Sequence, residues 1–427
     1  MSEVAHIPQL RFPEFEGSWS SVSILGTTNP ELKYGIVDGP FGSNLKTIHY
    51  KKSGIPIITS GYVTDGFFNA DSYLYVTEEK FNKEKRSAVN GGDIVMAKIG
   101  ARCGSSAILP KNHPTGILSG NALKITVDNN SHSTNFIWQI LWSLYQGHKL
   151  DLLRTVGAQP AISIANLKKY KLSLPTKPEQ QKIAAFLTEV DTKIEQLSKK
   201  QELLGEYKKG LMQQIFSQAI RFKADDGSDF PDWEEVKLGN IGEFKTSSVD
   251  KKIVEGQKLI QLVNYMNVYK HENIKNNSTK DLMIVSANET QLNASDLKKG
   301  DILFTPSSET PDDIGHSVVI FEDLMDTLYS YHLMRFRPKV QLDILYSHYF
   351  CNIPDVLRQI SRVATGSTRF TISVGEFSKI QINLPSLLEQ TKIANFLSAI
   401  DNKIEKVGKQ LVESKQFKKA LLQQMFV

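Results

Sequence analysis

Leu174 to Phe216 reads LPTKPEQQKIAAFLTEVDTKIEQLSKKQELLGEYKKGLMQQIF, and Leu384 to Phe426 reads LPSLLEQTKIANFLSAIDNKIEKVGKQLVESKQFKKALLQQMF. The two align without a gap. Glu179-Gln180 meets Glu389-Gln390, Lys182-Ile183-Ala184 meets Lys392-Ile393-Ala394, and Phe186-Leu187 meets Phe396-Leu397. Asp191, Lys193-Ile194-Glu195, Lys208-Lys209, Gln213-Gln214 and Phe216 recur as Asp401, Lys403-Ile404-Glu405, Lys418-Lys419, Gln423-Gln424 and Phe426. This is an internal duplication.

Apolar residues fall at Ile183, Leu187, Val190, Ile194 and Leu197 in the first copy, with Leu211 farther on. In the second copy they fall at Ile393, Leu397, Ile400, Ile404 and Val407, with Leu421 farther on. Alternating steps of four and three mark the seam of a coiled coil. Beyond Leu197 a strict frame lands on Gln201 and Lys208, whereas Leu204, Tyr207, Leu211 and Ile215 are more apolar, so the frame is expected to slip there. Pro175, Pro178 and Glu179 suit a helix start, and no proline follows in either copy. Each copy is therefore expected to be one helix of about 35 residues, roughly 50 Å long. Its apolar stripe needs a partner, and the simplest is the other copy running antiparallel. A parallel zipper between two chains is the alternative.

The repeat is larger than the helix. Leu10-Arg11-Phe12-Pro13, Trp19 and Leu25-Gly26 are echoed by Ile220-Arg221-Phe222, Phe230-Pro231, Trp233 and Leu238-Gly239. Strand-like runs follow in each half: Ile55 to Ser60, Tyr73 to Val76, Ile94 to Ala97 and Leu123 to Val127, then Leu259 to Val263, Ile302 to Thr305, Val318 to Phe321 and Leu333 to Arg335. Gly91-Gly92-Asp93 and Lys299-Gly300-Asp301 are matching turns. Helical patterns begin at about Thr134 and span about Leu342 to Ile360. Ile162-Ser163-Ile164 and Ile372-Ser373-Val374 close the two segments, which diverge freely between these landmarks.

With 427 residues the chain has room for two or three domains, and 51 Lys plus Arg against 46 Asp plus Glu leave a net charge of +5, which permits a nucleic-acid partner without demanding one. Cys103 and Cys351 are the only cysteines, so neither a disulfide framework nor a cysteine-type zinc site is expected. No apolar run suits a membrane span and Met1 to Gly17 does not resemble a signal peptide, so a cytoplasmic protein is expected. Gly-x-Gly-x-x-Gly, a phosphate-binding Gly-Lys-Ser/Thr loop, methyltransferase signatures and His-Glu-x-x-His are all missing. Pro231-Asp232 with Glu235-Val236-Lys237 imitates a nuclease metal site, but its gap is too short for two strands and Ser20, Ser21 and Ser23 stand in the matching place. No catalytic residue and no metal ligand are expected.

Polar loops carry the candidate contacts. Gly39 to Lys46 (GPFGSNLK) offers Ser43, Asn44 and Lys46, and the loop after the Ile94 strand offers Lys98 and Arg102. Arg154 and Gln159 follow in the first half. The second half offers Ser307, Ser308, Arg362, Ser367, Thr368 and Arg369. Such cations, hydroxyls and amides donate to phosphates and base edges.

The twin Leu-Pro-x-x-x-Glu-Gln-x-Lys-Ile-Ala-x-Phe-Leu helices, each closing in Lys-Lys-x-Leu-x-Gln-Gln-x-Phe, resemble the conserved regions of specificity subunits of type I restriction-modification systems. The Gly39 to Lys46 loop is similar to one in their target recognition domains. The resemblance covers the whole chain and implies an α+β fold: two similar mixed α/β target recognition domains separated by two long antiparallel helices, with pseudo-twofold symmetry. The domains expected are 1–173, 174–218 (first long helix), 219–383 and 384–427 (second long helix). The implied function is non-catalytic reading of a bipartite, asymmetric site on double-stranded DNA. Two methyltransferase subunits would supply S-adenosylmethionine and adenine methylation, and two restriction subunits would supply ATP hydrolysis and Mg-dependent cleavage. The methyltransferase subunits could dock on the helix pair as a four-helix bundle at Phe186, Leu203, Phe396 and Phe417, residues that would otherwise serve the chain's own core. A two-headed protein adaptor and a metal-dependent nuclease near Asp232 and Glu235 are the rival readings.

Overall fold

The computed structural model describes residues 7–155, 159–272, 274 and 279–427. The chain divides into two compact units, Met1–Leu197 with Gln410–Val427, and Ser198–Lys409. Both boundaries fall inside the long helices, Lys177–Phe216 and Leu387–Met425. Each unit thus owns the start of one long helix and the end of the other.

In the first unit, strand Ser20–Ser23 runs antiparallel to Lys171–Leu174, so the chain arrives and leaves side by side. The fully buried run Ile94–Ala97 is flanked by Ala122–Ile125 and Ser106–Ile108, with Ile36–Asp38 at the far edge, all antiparallel. A second sheet carries the parallel pair Ile55–Ile58 and Gly116–Leu118, with Tyr75–Val76 and Ala88–Val89 outside them. The second unit repeats the plan. Glu234–Lys237 pairs with Gln381–Leu384, and Ile302–Phe304 lies between Met334–Pro338 and Ser317–Val319 with Gly242–Thr246 at the edge. Lys258–Val263 and Thr327–Tyr329 form the matching parallel pair. Helix Thr134–Gln146 starts where its periodicity starts, with Ser133 as its cap. The expected Leu342 to Ile360 helix is instead two, Ile344–Phe350 and Pro354–Val363, because Pro354 has no N–H to continue the first and suits the opening turn of the second.

Within the first unit Ile183, Ala184 and Leu187 share a core with Leu421 and Met425, and Asp191 pairs with Lys418 at 2.5 Å. Advancing along one helix retreats along the other, so the two run antiparallel. In the second unit Ile393, Ala394 and Leu397 share a core with Ile215, and Lys208 pairs with Asp401 at 2.6 Å. Ile400, Val407 and Leu197 are buried, while Val190, Ile194, Ile404 and Leu211 are half-buried. The expected slip of frame does not occur: Tyr207 is 56% exposed, and the strict frame continues through Gln201, Leu204, Lys208, Leu211 and Ile215. Lys208 is tolerated in the seam because Asp401 neutralises it, and Gln201 because it lies against Gly408, which has no side chain.

The repeated Glu-Gln pair anchors each unit. Glu179, 1% exposed, accepts from Arg11 Nε at 2.7 Å and Nη2 at 2.8 Å, and from the Trp19 indole at 3.4 Å. Glu389 does the same with Arg221 at 3.3 and 2.8 Å and Trp233 at 3.0 Å. Gln180 donates to the Pro175 carbonyl and accepts from the Ser133 N–H, and Gln390 does so with Pro385 and Asp343. Each pair therefore ties the lead-in segment and the start of the domain helix to the long helix. The matching turns also carry an anchor. Asp93 binds Lys124 and Thr126, and Asp301 binds Arg337, with both carboxylates nearly or fully buried. Gly92 and Gly300, at φ 91° and 90°, permit those turns.

Candidate nucleic-acid interface

In the first unit the candidate loops converge at one end of the Ile94–Ala97 sheet. Strand Ile36–Asp38 exits through Gly39, where a Cβ would stand 2.1 Å from the Ser119 carbonyl oxygen, so only glycine passes. The chain then presents Phe41, turns at Gly42–Asn44, and exposes Asn44 and Lys46. The Ser43 side chain lies outside the described residues. Lys98 leaves its strand with Nζ 2.5 Å from Asp38 and 4.6 Å from the centre of the Phe41 ring. Its carbonyl accepts from the Ile162 N–H, which places the Arg154–Thr155 and Ala161–Ile162 hairpin beside the loop. Arg154 turns inward, donating to the Cys103 carbonyl and pairing with Asp151, both at 2.9 Å, and so braces the loop. Arg102 and Gln159 are exposed, the arginine reaching the Thr64 hydroxyl at 3.3 Å.

The second unit builds the same corner from different residues. The Ile372 N–H donates to the Pro306 carbonyl, as Ile162 does to Lys98, and Ser307–Ser308 pairs with Phe370–Thr371. Arg369 is exposed and donates to the Ser307 hydroxyl at 3.2 Å, whereas Ser308 is buried. Arg362, Ser367 and Thr368 are exposed, the last two in a turn closed by Gly366, which adopts φ 148°. Sequence reasoning passed over the neighbouring ring cluster. Tyr265 stacks on Tyr269 at 5.8 Å, the Tyr269 hydroxyl donates to Asp313, and His316 joins Asp313 at 2.8 Å and His271 at 3.2 Å. Burial, helped by the Asp313 charge, raises the Tyr265 phenol, and the hydrogen bond to Asp313 raises that of Tyr269. Both stay neutral donors at pH 7. The signal for this cluster was weak, since Tyr265, His271 and His316 come together only through the fold.

The supposed nuclease residues have structural partners. Asp232 faces Arg221 at 3.4 Å, and Glu235 accepts from Gln381 at 2.7 Å across the lead-in ribbon. Among the described residues no three His, Cys, Asp or Glu side chains come together as metal ligands, and no helix is long and apolar enough to cross a membrane.

Residues 42–204 and 231–414 match the type I restriction modification DNA specificity domain family. The chain belongs to that family. Specificity subunits are the non-catalytic DNA-recognition subunits of type I restriction-modification systems. The chain is 26% identical over 393 residues to a putative type I restriction enzyme MjaX specificity subunit of Methanocaldococcus jannaschii, covering 87% of this chain and 86% of the relative. The MjaVIII specificity subunit of the same organism is 25% identical, with 86% and 84% covered. Among solved structures, the S subunit of the type I system of M. genitalium aligns over 99% of both chains with a TM-score of 0.56 at 16% identity. The HsdS subunit of Thermoanaerobacter tengcongensis aligns over 96% of both with a TM-score of 0.50 at 16% identity. These two likenesses establish the specificity-subunit fold.

Proposed function

We propose that each unit of this specificity subunit reads one half of a bipartite, asymmetric site on double-stranded DNA, and that the chain thereby directs adenine methylation and restriction by partner subunits. The observation that carries this reading is one corner built twice on the same backbone bonds, Ile162 to Lys98 and Ile372 to Pro306, but dressed with different side chains. Equal scaffolds hold the two readers alike, and unequal surfaces free the site from palindromy. Two methyltransferase and two restriction subunits would assemble on the chain, bringing S-adenosylmethionine, ATP and Mg. Leu203 and Phe417, 50% and 53% exposed on the long helices, favour such docking. Phe186 and Phe396 are already partly engaged by Phe12 and Phe222.

The test is DNA binding by the chain with its methyltransferase across a salt series. A reader loses affinity with a log-log slope of about −0.9 per phosphate neutralised. Salt-insensitive association with proteins and no DNA affinity would favour the two-headed adaptor instead.

A further inference from the structure

We propose that Phe41 is a base-stacking side chain of the first unit, with Lys98 and Asp38 holding its ring in place. The proposal rests on the DNA-reading function above and adds to it a named contact of different chemistry. Phe41 is 53% exposed, although its loop is clamped at Gly39 against the Ser119 backbone and by the Gly39 N–H to the Ala122 carbonyl at 3.1 Å. The chain leaving this clamp thus presents a large apolar ring to solvent. The ring lies against Gly120, where an added Cβ would come within 3.3 Å of it. Lys98 Nζ sits 4.6 Å from its centre and is itself fixed by Asp38 at 2.5 Å.

A cation on an aromatic face is attracted by the ring's quadrupole and limits its rotation. With its charge already answered by Asp38, Lys98 is a support for the ring more than a free phosphate contact. In a duplex the base faces are covered by their neighbours, so an exposed aromatic in the loop that also presents Asn44 and Lys46 would act as a wedge between base steps, stacking on a base that it partly unstacks. In the second unit the edge strand that corresponds to Ile36–Asp38 runs on into Ser247, Ser248 and Val249, and Val249 is fully buried. The ring is therefore a feature of one unit, and its effect belongs to one half-site.

The experiment uses the full chain with its methyltransferase, and duplexes carrying 2-aminopurine at successive purines of the recognised site. In the unchanged protein, fluorescence at one position of a single half-site shifts on binding. Phe41→Ala loses that shift and weakens binding, by at most roughly 150-fold because unstacking the duplex step offsets part of the stacking energy, while Phe41→Tyr retains both. The salt slope stays the same, because a neutral ring releases no counterions. Lys98→Met reproduces part of the Phe41→Ala loss, again at constant slope. Unaltered affinity in Phe41→Ala, a loss spread over both half-sites, or a slope reduced by about 0.9 in Lys98→Met would overturn the proposal. Absence of sequence-specific binding by the unchanged protein would refute the DNA-reading function itself.

Discussion

Replacing Glu179 by alanine removes the carboxylate on which three side-chain donors converge. Two of the lost bonds come from one guanidinium at 2.7 and 2.8 Å, and the third comes from Trp19, which is 3% exposed. Charge-assisted bonds contribute about 1.5 to 3 kcal/mol each and are not additive when they share an acceptor. Arg11 is only 13% exposed, but it still donates to the backbone carbonyls of Glu16 and Gly17, so it is not stranded without acceptors. The expected loss is about 3 to 4 kcal/mol, at the lower part of the range for breaking a buried pair. For a unit of this size that corresponds to a fall in melting temperature of roughly 6 to 15 °C. Glu389→Ala should cost less, because Arg221 is more exposed, its Nε bond is longer at 3.3 Å, and it has Asp232 and the Phe230 and Pro231 carbonyls as further partners. Unfolding is followed by calorimetry and by hydrogen exchange at the Trp19 and Trp233 indoles, which separate the two units. A Glu179→Ala protein that melts within about 2 °C of the parent, with Trp19 still protected, would refute the view that this carboxylate fastens the lead-in segment.

Three further outcomes are expected. Lys208→Asp and Asp401→Lys each weaken helix pairing, and the double exchange restores it by about 0.5 to 1 kcal/mol, read as a coupling energy in urea unfolding. Burial lowers the His348 and His132 imidazoles, so the unfolded chain binds more protons as pH falls; their contribution is present above about pH 6.5 and is lost on acidification, and His348→Gln flattens that loss in a stability–pH series. Gly39→Ala forces the loop away from Ser119 and lowers DNA affinity at one half-site while the helix pair stays intact, which footprinting and circular dichroism report together.

The long helices and many of the strands were legible because burial imposes a period that survives in the residues. Ile183 to Leu197 repeats at three and four, and Ile94 to Ala97 is a short, wholly buried run. Tyr207 misled because apolarity alone ranks it above Lys208, whereas the ion pair to Asp401 lets lysine keep the seam position. The Glu179-Gln180 repeat was visible as letters, but its partners lie 168 residues away at Arg11 and 47 away at Ser133, a separation that no local pattern encodes. The break at Pro354 was readable from proline chemistry alone. At the candidate interface, Asn44, Lys46, Arg102 and Arg369 are exposed as their polar loops suggested, but the sequence could not tell that Arg154 turns inward or that Ser308 is buried. Those distinctions depend on which strand lies beside each loop.

Methylome sequencing tests the central claim most directly. A host without other adenine methyltransferases expresses this chain with its methyltransferase, and a control expresses the methyltransferase alone. The account predicts a new motif of two unlike half-sites separated by an unread spacer, with one methylated adenine in each half and no motif in the control. Co-purification of the two proteins with no motif, or a motif unchanged when this chain is omitted, would contradict it.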